Sequence, residues 1–268
     1  MGDILLIWAI IAYGVSTVII TYNHLRGYTK PSIVGWWIVA SGCGAHSWVV
    51  IQNLVQDHGI LVNFPASLNL SALAMSLIYL IIWRLRRQTT RTAGLVLLPL
   101  MVFSLGASLL LPADESKLQA LTDPLLIAHL ALSLLSYGLF SIAAILALMD
   151  AFQEHALRTK SFGKLFNMLP PLEALEETLF LMVRMGFVLL TIAITTGSLY
   201  SQYVNGIFFT LTHKVIFTWA TWLVFGTLLV GNHLWGWRGT KASKLTISGY
   251  IFLALAFLGV KFVTEILL

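Results

Sequence analysis

The most regular feature of this sequence is a series of long apolar stretches separated by short polar segments. A helix that crosses a lipid bilayer needs roughly 20 mostly apolar residues, with a range of about 17–25. Stretches of that length recur eight times, and most charged residues fall between them. The pattern predicts eight transmembrane helices in one membrane domain over residues 1–268. The predicted spans are about 4–22, 32–54, 65–83, 92–111, 125–149, 176–199, 207–233 and 245–266.

The basic residues are concentrated in alternate connections between the predicted spans. Twelve of the 16 Lys and Arg residues lie in four alternate loops, whereas the other loops hold only Lys117. Cytoplasmic loops of membrane proteins are enriched in Lys and Arg, so both termini are predicted on the non-cytoplasmic side of a bacterial inner (plasma) membrane. The twelve are Arg26, Lys30, Arg84, Arg86, Arg87, Arg91, Arg158, Lys160, Lys164, Arg238, Lys241 and Lys244.

The composition agrees with a multi-pass membrane protein and excludes several other classes. The chain is 58% hydrophobic and 10% charged, whereas a soluble globular chain has about 25% charged residues. Its net charge of +5 reflects the loop residues, so no nucleic-acid partner is expected. The single cysteine, Cys43, excludes a disulfide framework, and no Ser–His–Asp set, Gly-rich phosphate loop or HExxH motif indicates an enzyme. We expect an all-α polytopic helix bundle in a lipid bilayer, without catalytic activity.

Ionisable side chains inside the predicted spans are the candidates for function, because each costs at least about 2.5 kcal/mol at mid-span. With a helical rise of about 1.5 Å per residue, His46 lies about 21 Å along the second span. His129 lies about one turn inside the outer end of the fifth span. His213 and Lys214 lie about two turns inside the outer end of the seventh. All four therefore fall in the outer half of the membrane.

Three histidines in the same half of the membrane predict a haem site. A neutral imidazole is a good axial ligand, and a porphyrin between helices takes one histidine from each side. We predict that two of His46, His129 and His213 ligate the iron of haem b, and that Lys214 or Lys261 pairs with a haem propionate. The competing interpretation is that these histidines only hydrogen-bond across helices, which is a common packing role.

Two further ionisable residues fall in the inner half of the membrane. His233 lies beside Trp235 and Trp237 at the end of the seventh span, as expected for a residue of the membrane interface. Arg184 lies two turns beyond Glu177 on the sixth span, so a direct or water-bridged ion pair between them is expected.

Several segments resemble a known family. The pattern Leu169–Glu173, followed by Gly186-Phe187 and Gly197, resembles the helix entry in CcsA-type cytochrome c assembly proteins. The stretch His129–Tyr137 resembles their histidine-bearing span, and Gly236–Gly239 resembles their last cytoplasmic turn. On these motifs the chain is similar to the CcsA-, CcmC- and HemX-like cytochrome c assembly family, and in particular to its YpjD-type inner-membrane branch.

The resemblance implies that haem is handled on the outer side of the membrane and passed towards apocytochrome c. The family uses an external Trp-rich loop flanked by two external histidines, and His129 matches the first of them. The second histidine has no counterpart in this sequence. At the place of the Trp-rich loop the chain reads Leu211–Val215, which keeps the family's lysine as Lys214 and adds His213. His46 resembles a histidine of the second span that is common in this superfamily.

Two functions of different classes are therefore expected. The first is a membrane protein that binds or handles haem at the outer leaflet. The second is a haem-free accessory or regulatory subunit of another membrane protein such as an ion transporter, in which the polar faces only pack helices together. The missing Trp-rich loop and second external histidine motivate the second hypothesis. A Soret absorption band in the purified protein distinguishes the two.

Overall fold

A computed structural model describes residues 2–26, 33–56, 59–61, 63–85, 87–111, 118–120, 123–160, 163, 166, 169–208 and 211–263. It confirms the predicted all-α bundle: among these residues, eight helices are long and apolar enough to cross a membrane. In chain order the elements are α1 (Gly2–Leu25), α2 (Ile33–Gln56), β1 (Gly59–Leu61), α3 (Phe64–Leu85), α4 (Arg87–Leu110), β2 (Leu118–Ala120), α5 (Pro124–Thr159), α6 (Leu172–Asn205), α7 (His213–Trp235) and α8 (Gly239–Ala254).

Helices α5 and α6 are longer than the spans predicted from hydropathy. They contain 36 and 34 residues, or about 54 and 51 Å, whereas the hydrocarbon core is about 30 Å thick. The predicted fifth span ended at 149 because a charged residue, Asp150, follows. In the structure Asp150 is buried and its carboxylate accepts a hydrogen bond from the Ser243 hydroxyl. The helix therefore continues beyond Asp150 until Lys160, which adopts a left-handed φ of 53°.

The last two helices begin at different residues from those predicted. Helix α7 begins six residues later than the predicted 207, because the Thr212 hydroxyl accepts a hydrogen bond from the Val215 amide at 3.4 Å and caps the helix. Helix α8 begins at Gly239, six residues before the predicted 245. It continues past Ala254 as a π-helical turn, Leu255–Gly259, and a final α-helical turn, Val260–Phe262. The predicted end of this span, 264–266, lies outside the described residues.

A small antiparallel ladder places two connections at the same end of the bundle. Gly59 of β1 pairs with Ala120 of β2, and Leu61 pairs with Leu118. The ladder joins the α2–α3 connection to the α4–α5 connection, as expected for helices that alternate in direction. We call this end, at which α3 and α5 begin, the strand end. That it faces away from the cytoplasm stays a prediction, and four of the basic loop residues, Lys30, Arg86, Lys117 and Lys164, lie outside the described residues.

Helix α5 is the central element of the bundle. Its residues 136–147 are all buried, and it packs against α3, α4, α6 and α8. Phe140 of α5 stacks on Phe225 of α7 with ring centroids 3.9 Å apart. It also fills the space left by Gly186 of α6, where an added Cβ would lie 3.0 Å from the ring. This close packing fixes the rotation of α5, and with it the face of the helix on which His129 lies.

Candidate functional site

His129 lies near the beginning of α5, at the strand end of the bundle. The helix starts at Pro124, and the Asp123 carboxylate caps it by accepting a hydrogen bond from the Leu125 amide at 2.7 Å. Nδ1 of His129 lies 2.7 Å from the carbonyl oxygen of Ala193 on α6. Because a carbonyl oxygen can only accept a hydrogen bond, Nδ1 carries the proton and Nε2 keeps a free lone pair. This tautomer is the one that a histidine needs to bind a metal through Nε2.

The neighbouring helix α6 leaves space for this imidazole by means of a glycine. A Cβ atom at Gly197 would lie 2.6 Å from Nδ1 and 2.7 Å from Cε1 of His129. Both distances are shorter than van der Waals contact, so no larger side chain fits while the ring stays in place. Gly197 and the Ala193 carbonyl therefore determine together where His129 lies and which of its nitrogens is free.

His129 and Lys214 line a common cavity at this end of the bundle. It consists of two adjoining chambers that share His129, Ile194, Lys214 and Thr218. The chambers have volumes of about 90 and 270 Å³, each below the roughly 300–1,000 Å³ of small-molecule sites. The first chamber is also lined by Ser67, Leu70, Leu130, Ser133, Leu134, Tyr137, Leu190, Ala193, Leu253, Ala256 and Phe257. The second is also lined by Gly197, Ser198, Ser201, Phe208, Thr212, Val215 and Trp219.

The first chamber has mainly apolar walls with a few fixed polar groups. Its tyrosine, Tyr137, accepts a hydrogen bond from the Tyr250 hydroxyl at 3.2 Å, and Ser141 donates to Tyr250 at 3.1 Å. Tyr137 also packs against Phe257, with ring centroids 4.9 Å apart. These contacts hold the tyrosine in the wall. Tyr250 could not be assigned to the site from the sequence, because its role depends on how α8 packs against α5.

Helix α7 contributes a basic residue, Lys214, to both chambers. Lys214 is the second residue of α7, so its ammonium group lies near the helix N-terminus, where the backbone dipole is also positive. Thr218, one turn further along α7, lines both chambers. A ligand bound here meets both an imidazole and a cation, which suits an apolar molecule that carries an anionic group.

The structure does not bring all the predicted site residues together. His46 is fully buried, with an exposed fraction of 0%, and its Nε2 donates to Oδ1 of Asn69 on α3 at 2.8 Å. His213 is the exposed first residue of α7. Neither His46 nor His213 is among the residues that line the two chambers. Of the four predicted residues, His129 and Lys214 share the cavity.

The run of small residues around His46 has a packing role. A Cβ at Gly42 would lie 2.8 Å from Cβ of Ala12 on α1, and the Cys43 sulfur accepts a hydrogen bond from Ser76 at 3.3 Å. The small side chains therefore let α1 approach α2 closely, which is one of the two uses that such a run permits. The side chain of Lys261, the other lysine predicted to pair with a propionate, lies outside the described residues.

Comparison with known proteins defines the family of the chain. A family model described as "Cytochrome C assembly protein" matches residues 61–268. The chain belongs to this cytochrome c assembly family. The matched range contains every residue that lines the two chambers, whereas α1 and α2, and therefore His46, lie before it.

Three curated relatives of this family member give the similarity more detail. The "Inner membrane protein YpjD" of Escherichia coli (strain K12) is 29% identical over 270 residues, which cover 97% of both chains. A "Cytochrome c biogenesis protein CcsA" of Prochlorococcus marinus (strain NATL1A) is 23% identical over 90% of this chain and 85% of its own. The "Protein HemX" of Brevibacillus brevis is 28% identical over 54% and 53%. These similarities confirm the resemblance seen in the sequence motifs.

Proposed function

We propose that this membrane protein binds haem b in the cavity at the strand end, with His129 as an axial ligand of the iron. The observation that carries the proposal is the free Nε2 of His129, whose other nitrogen donates to the Ala193 carbonyl. Metal-binding histidines almost always donate their second ring nitrogen to a carboxylate, carbonyl or water, which fixes the tautomer. In a bacterial inner membrane with the strand end outside, this site lies in the outer leaflet.

The residues of the cavity fit a haem group. Haem supplies an iron ion that accepts a neutral imidazole as an axial ligand. Apolar walls, among them Leu130, Leu190 and Phe257, suit the macrocycle, although the two chambers, of about 90 and 270 Å³, would have to widen to hold it. Lys214, at the positive N-terminus of α7, is suited to pair with a propionate carboxylate.

Of the two remaining histidines, His213 is the better candidate for a second ligand. It lies beside Lys214, which lines both chambers, and it is exposed at the beginning of α7. His46 is enclosed between helices and already donates to Asn69. The other nitrogen of His46, Nδ1, has no hydrogen-bond partner but is buried, so ligation through it would require that a path be opened through buried packing.

The experiment is an absorption spectrum of the protein purified from haem-replete cells. We expect a Soret band from the wild type and the loss of most of it in His129→Ala. The matched control is His155→Ala, because His155 is an exposed histidine at the opposite end of the same helix. His213→Ala should change the ligation state seen in the spectrum, whereas His46→Ala should leave the spectrum unchanged. A wild-type protein without a Soret band, or a full band in His129→Ala, contradicts the proposal.

The second candidate function is a haem-free accessory subunit of another membrane protein. One observation favours it: the hydrogen bond from His129 to Ala193 is also the bond that a histidine makes when it only joins two helices. In that case the purified protein has no Soret band and His129→Ala lowers stability without a spectroscopic change. A stoichiometric membrane partner that co-purifies with the wild type, together with normal cytochrome c in a deletion strain, would then be expected.

A further inference from the structure

One wall of the first chamber is built from the first turn of α3 and from the π-helical turn that continues α8. Ser67 of α3 and Phe257 of the π-helical turn line the chamber. Phe64, three residues before Ser67, and Leu258, which follows Phe257, line an apolar groove. The groove has a volume of about 370 Å³, larger than that of either chamber. The first chamber and the groove therefore lie on opposite sides of the same two segments.

The groove side of this wall is closed by a contact between two aromatic rings. The ring centroids of Phe64 on α3 and Phe262 after the π-helical turn lie 5.5 Å apart, with an angle of 59° between the rings. Helix α3 also contacts the π-helical turn itself. Phe262 is exposed, so this contact lies on the surface that faces lipid. A ring contact of this kind is modest in free energy, so thermal motion can open it.

The π-helical turn gives the α8 side of the wall a backbone that can shift. The Val260 amide donates to the Leu255 carbonyl, five residues back instead of the four of an α-helix. Such turns are rare and occur frequently at functional sites. Because the turn holds one extra residue, its hydrogen bonds can change partners one at a time, which rotates the side chains between them without unwinding the helix. Phe257 and Leu258, on the two sides of the wall, lie within this turn.

The other walls of the first chamber are joined by hydrogen bonds. His129 bonds α5 to α6, and the Trp222 indole of α7 donates to Thr191 of α6 at 3.0 Å. On α8, the Tyr250 hydroxyl donates to that of Tyr137 on α5 at 3.2 Å, just over one turn before the π-helical turn begins. The part of α8 that follows Tyr250 meets α3 through ring packing. This part is therefore the section of the wall that moves most easily.

The small size of the chambers requires that a wall open before a large molecule enters. Their volumes of about 90 and 270 Å³ lie below those of ordinary small-molecule sites. We propose that the Phe64–Phe262 contact and the π-helical turn form a lateral gate, through which haem passes between the bilayer and the first chamber. This inference rests on the proposed function, because haem is the molecule that the gate admits.

The position and the lining of the groove favour entry from the bilayer. Phe64 begins α3 and Phe262 follows the π-helical turn, so the gate lies at the strand end, near the surface of its leaflet. Haem in a bilayer keeps its propionates at the surface and its macrocycle among the acyl chains, and the apolar groove continues that environment. Entry through the second chamber would instead take the macrocycle past polar residues such as Ser201 and Thr212.

The test measures the rate of haem uptake by the full chain purified without haem, from the growth of the Soret band. In the double variant Phe64→Cys and Phe262→Cys, a short bifunctional thiol reagent with a cleavable bridge joins α3 to the end of α8. The native Cys43 is buried and should react little. The cross-link should stop uptake over the time in which the untreated variant reaches half-saturation, and cleavage should restore it. Haem bound before cross-linking should stay bound, with an unchanged Soret band.

A second variant opens the gate instead of locking it. Phe64→Ala removes one ring of the contact and should speed uptake about two- to tenfold, the factor in rate that corresponds to the free energy of one aromatic pair. The matched control is Phe252→Ala on α8. Phe252 packs against Phe217 of α7, with ring centroids 6.4 Å apart, and neither residue lines the chambers or the groove. Its uptake should keep the wild-type rate, and a cross-link between cysteines at 217 and 252 should not stop uptake.

Three results would overturn the gate. Uptake at an unchanged rate after cross-linking of positions 64 and 262 would mean that haem enters elsewhere, for example through the second chamber. Equal uptake rates in wild type and Phe64→Ala would mean that this contact does not limit entry. Loss of uptake after cross-linking of positions 217 and 252 as well would show a general effect of stiffening α8. All three leave the Soret band of the wild type in place, whereas a wild type without that band overturns the proposed function too.

Discussion

At the scale of single residues, the hydrogen bond between His129 and Ala193 has two consequences that do not compete. It joins α5 to α6, as a packing histidine does, and it fixes the proton on Nδ1 so that Nε2 is free. A histidine that only packs helices needs no cavity beside its second nitrogen, which can lie against lipid or another side chain. His129 instead lines a cavity that also contains a lysine. The cavity beside the imidazole therefore favours the haem-binding function, whereas the hydrogen bond fits both functions.

The first prediction at this scale concerns Gly197, which gives the His129 ring its space. Gly197→Ala places a methyl group 2.6 Å from Nδ1, so the ring must move and its bond to Ala193 must lengthen. Loss of the group that orients a metal ligand lowers affinity about 10- to 100-fold, and we expect a loss of this size in haem titrations. The control is Gly106→Ala in α4, where an added Cβ meets nothing within 4 Å. Equal haem affinity in Gly197→Ala and wild type would mean that His129 is not a ligand.

The sequence predicted the depth of each site residue but not its direction. Position along a helix follows from the residue number, and this placed His46, His129, His213 and Lys214 in the same half of the membrane. Whether side chains on different helices meet also depends on the rotation of each helix and on its neighbours. The rotation of a helix and its neighbours are set by contacts such as that of Phe140 with Gly186, which the pattern of a single sequence does not reveal. The structure accordingly brings His129 and Lys214 to one cavity and places His46 beside Asn69.

At the scale of elements, hydropathy predicted the number of spans and missed where the long helices end. An apolar-stretch criterion reads a charged residue as the end of a span, because it assumes that the residue meets water. Asp150 meets Ser243 instead, so α5 continues as a packed helix beyond the membrane. The same contact agrees with the early start of α8, since Ser243 precedes the predicted start at 245 and is buried against α5.

The prediction for these elements tests whether the contact between α5 and α8 stabilises the end opposite the strands. Ser243→Ala removes the hydroxyl that donates to the buried Asp150 carboxylate. A buried acceptor left without its donor costs about 1–3 kcal/mol, so the midpoint of thermal unfolding in detergent should fall. Ser248→Ala is the matched control, since Ser248 is an exposed serine on the same helix. Unfolding of both variants at the wild-type temperature would contradict the prediction, because the Asp150 carboxylate would then not depend on the Ser243 hydroxyl. Neither residue lines the cavity, so both variants should keep the Soret band of the wild type.

At the scale of the whole molecule, two independent observations agree on which connections share a side. The paired strands β1 and β2 join the α2–α3 and α4–α5 connections at one end. The alternate connections, by contrast, contain most of the basic residues of the sequence. The first observation is a matter of hydrogen bonding and the second of charge, so neither depends on the other. The cavity with His129 lies at the strand end, so it shares a side with the connections that hold few basic residues.

The last prediction tests the orientation in the membrane on which the location of the proposed haem site depends. Cys43, the single native cysteine, is 3% exposed, so an introduced cysteine can be labelled against a low background. Val204→Cys lies at the end of α6 on the side of the cavity, and Thr159→Cys lies at the end of α5 on the opposite side; both positions are exposed. The cells are prepared with the outer membrane removed and the inner membrane intact. A membrane-impermeant maleimide should then label position 204 directly and position 159 only after permeabilisation, because Lys- and Arg-rich loops stay on the cytoplasmic side. The reverse order would place His129 and Lys214 at the cytoplasmic end of the bundle and would contradict haem handling on the outer side.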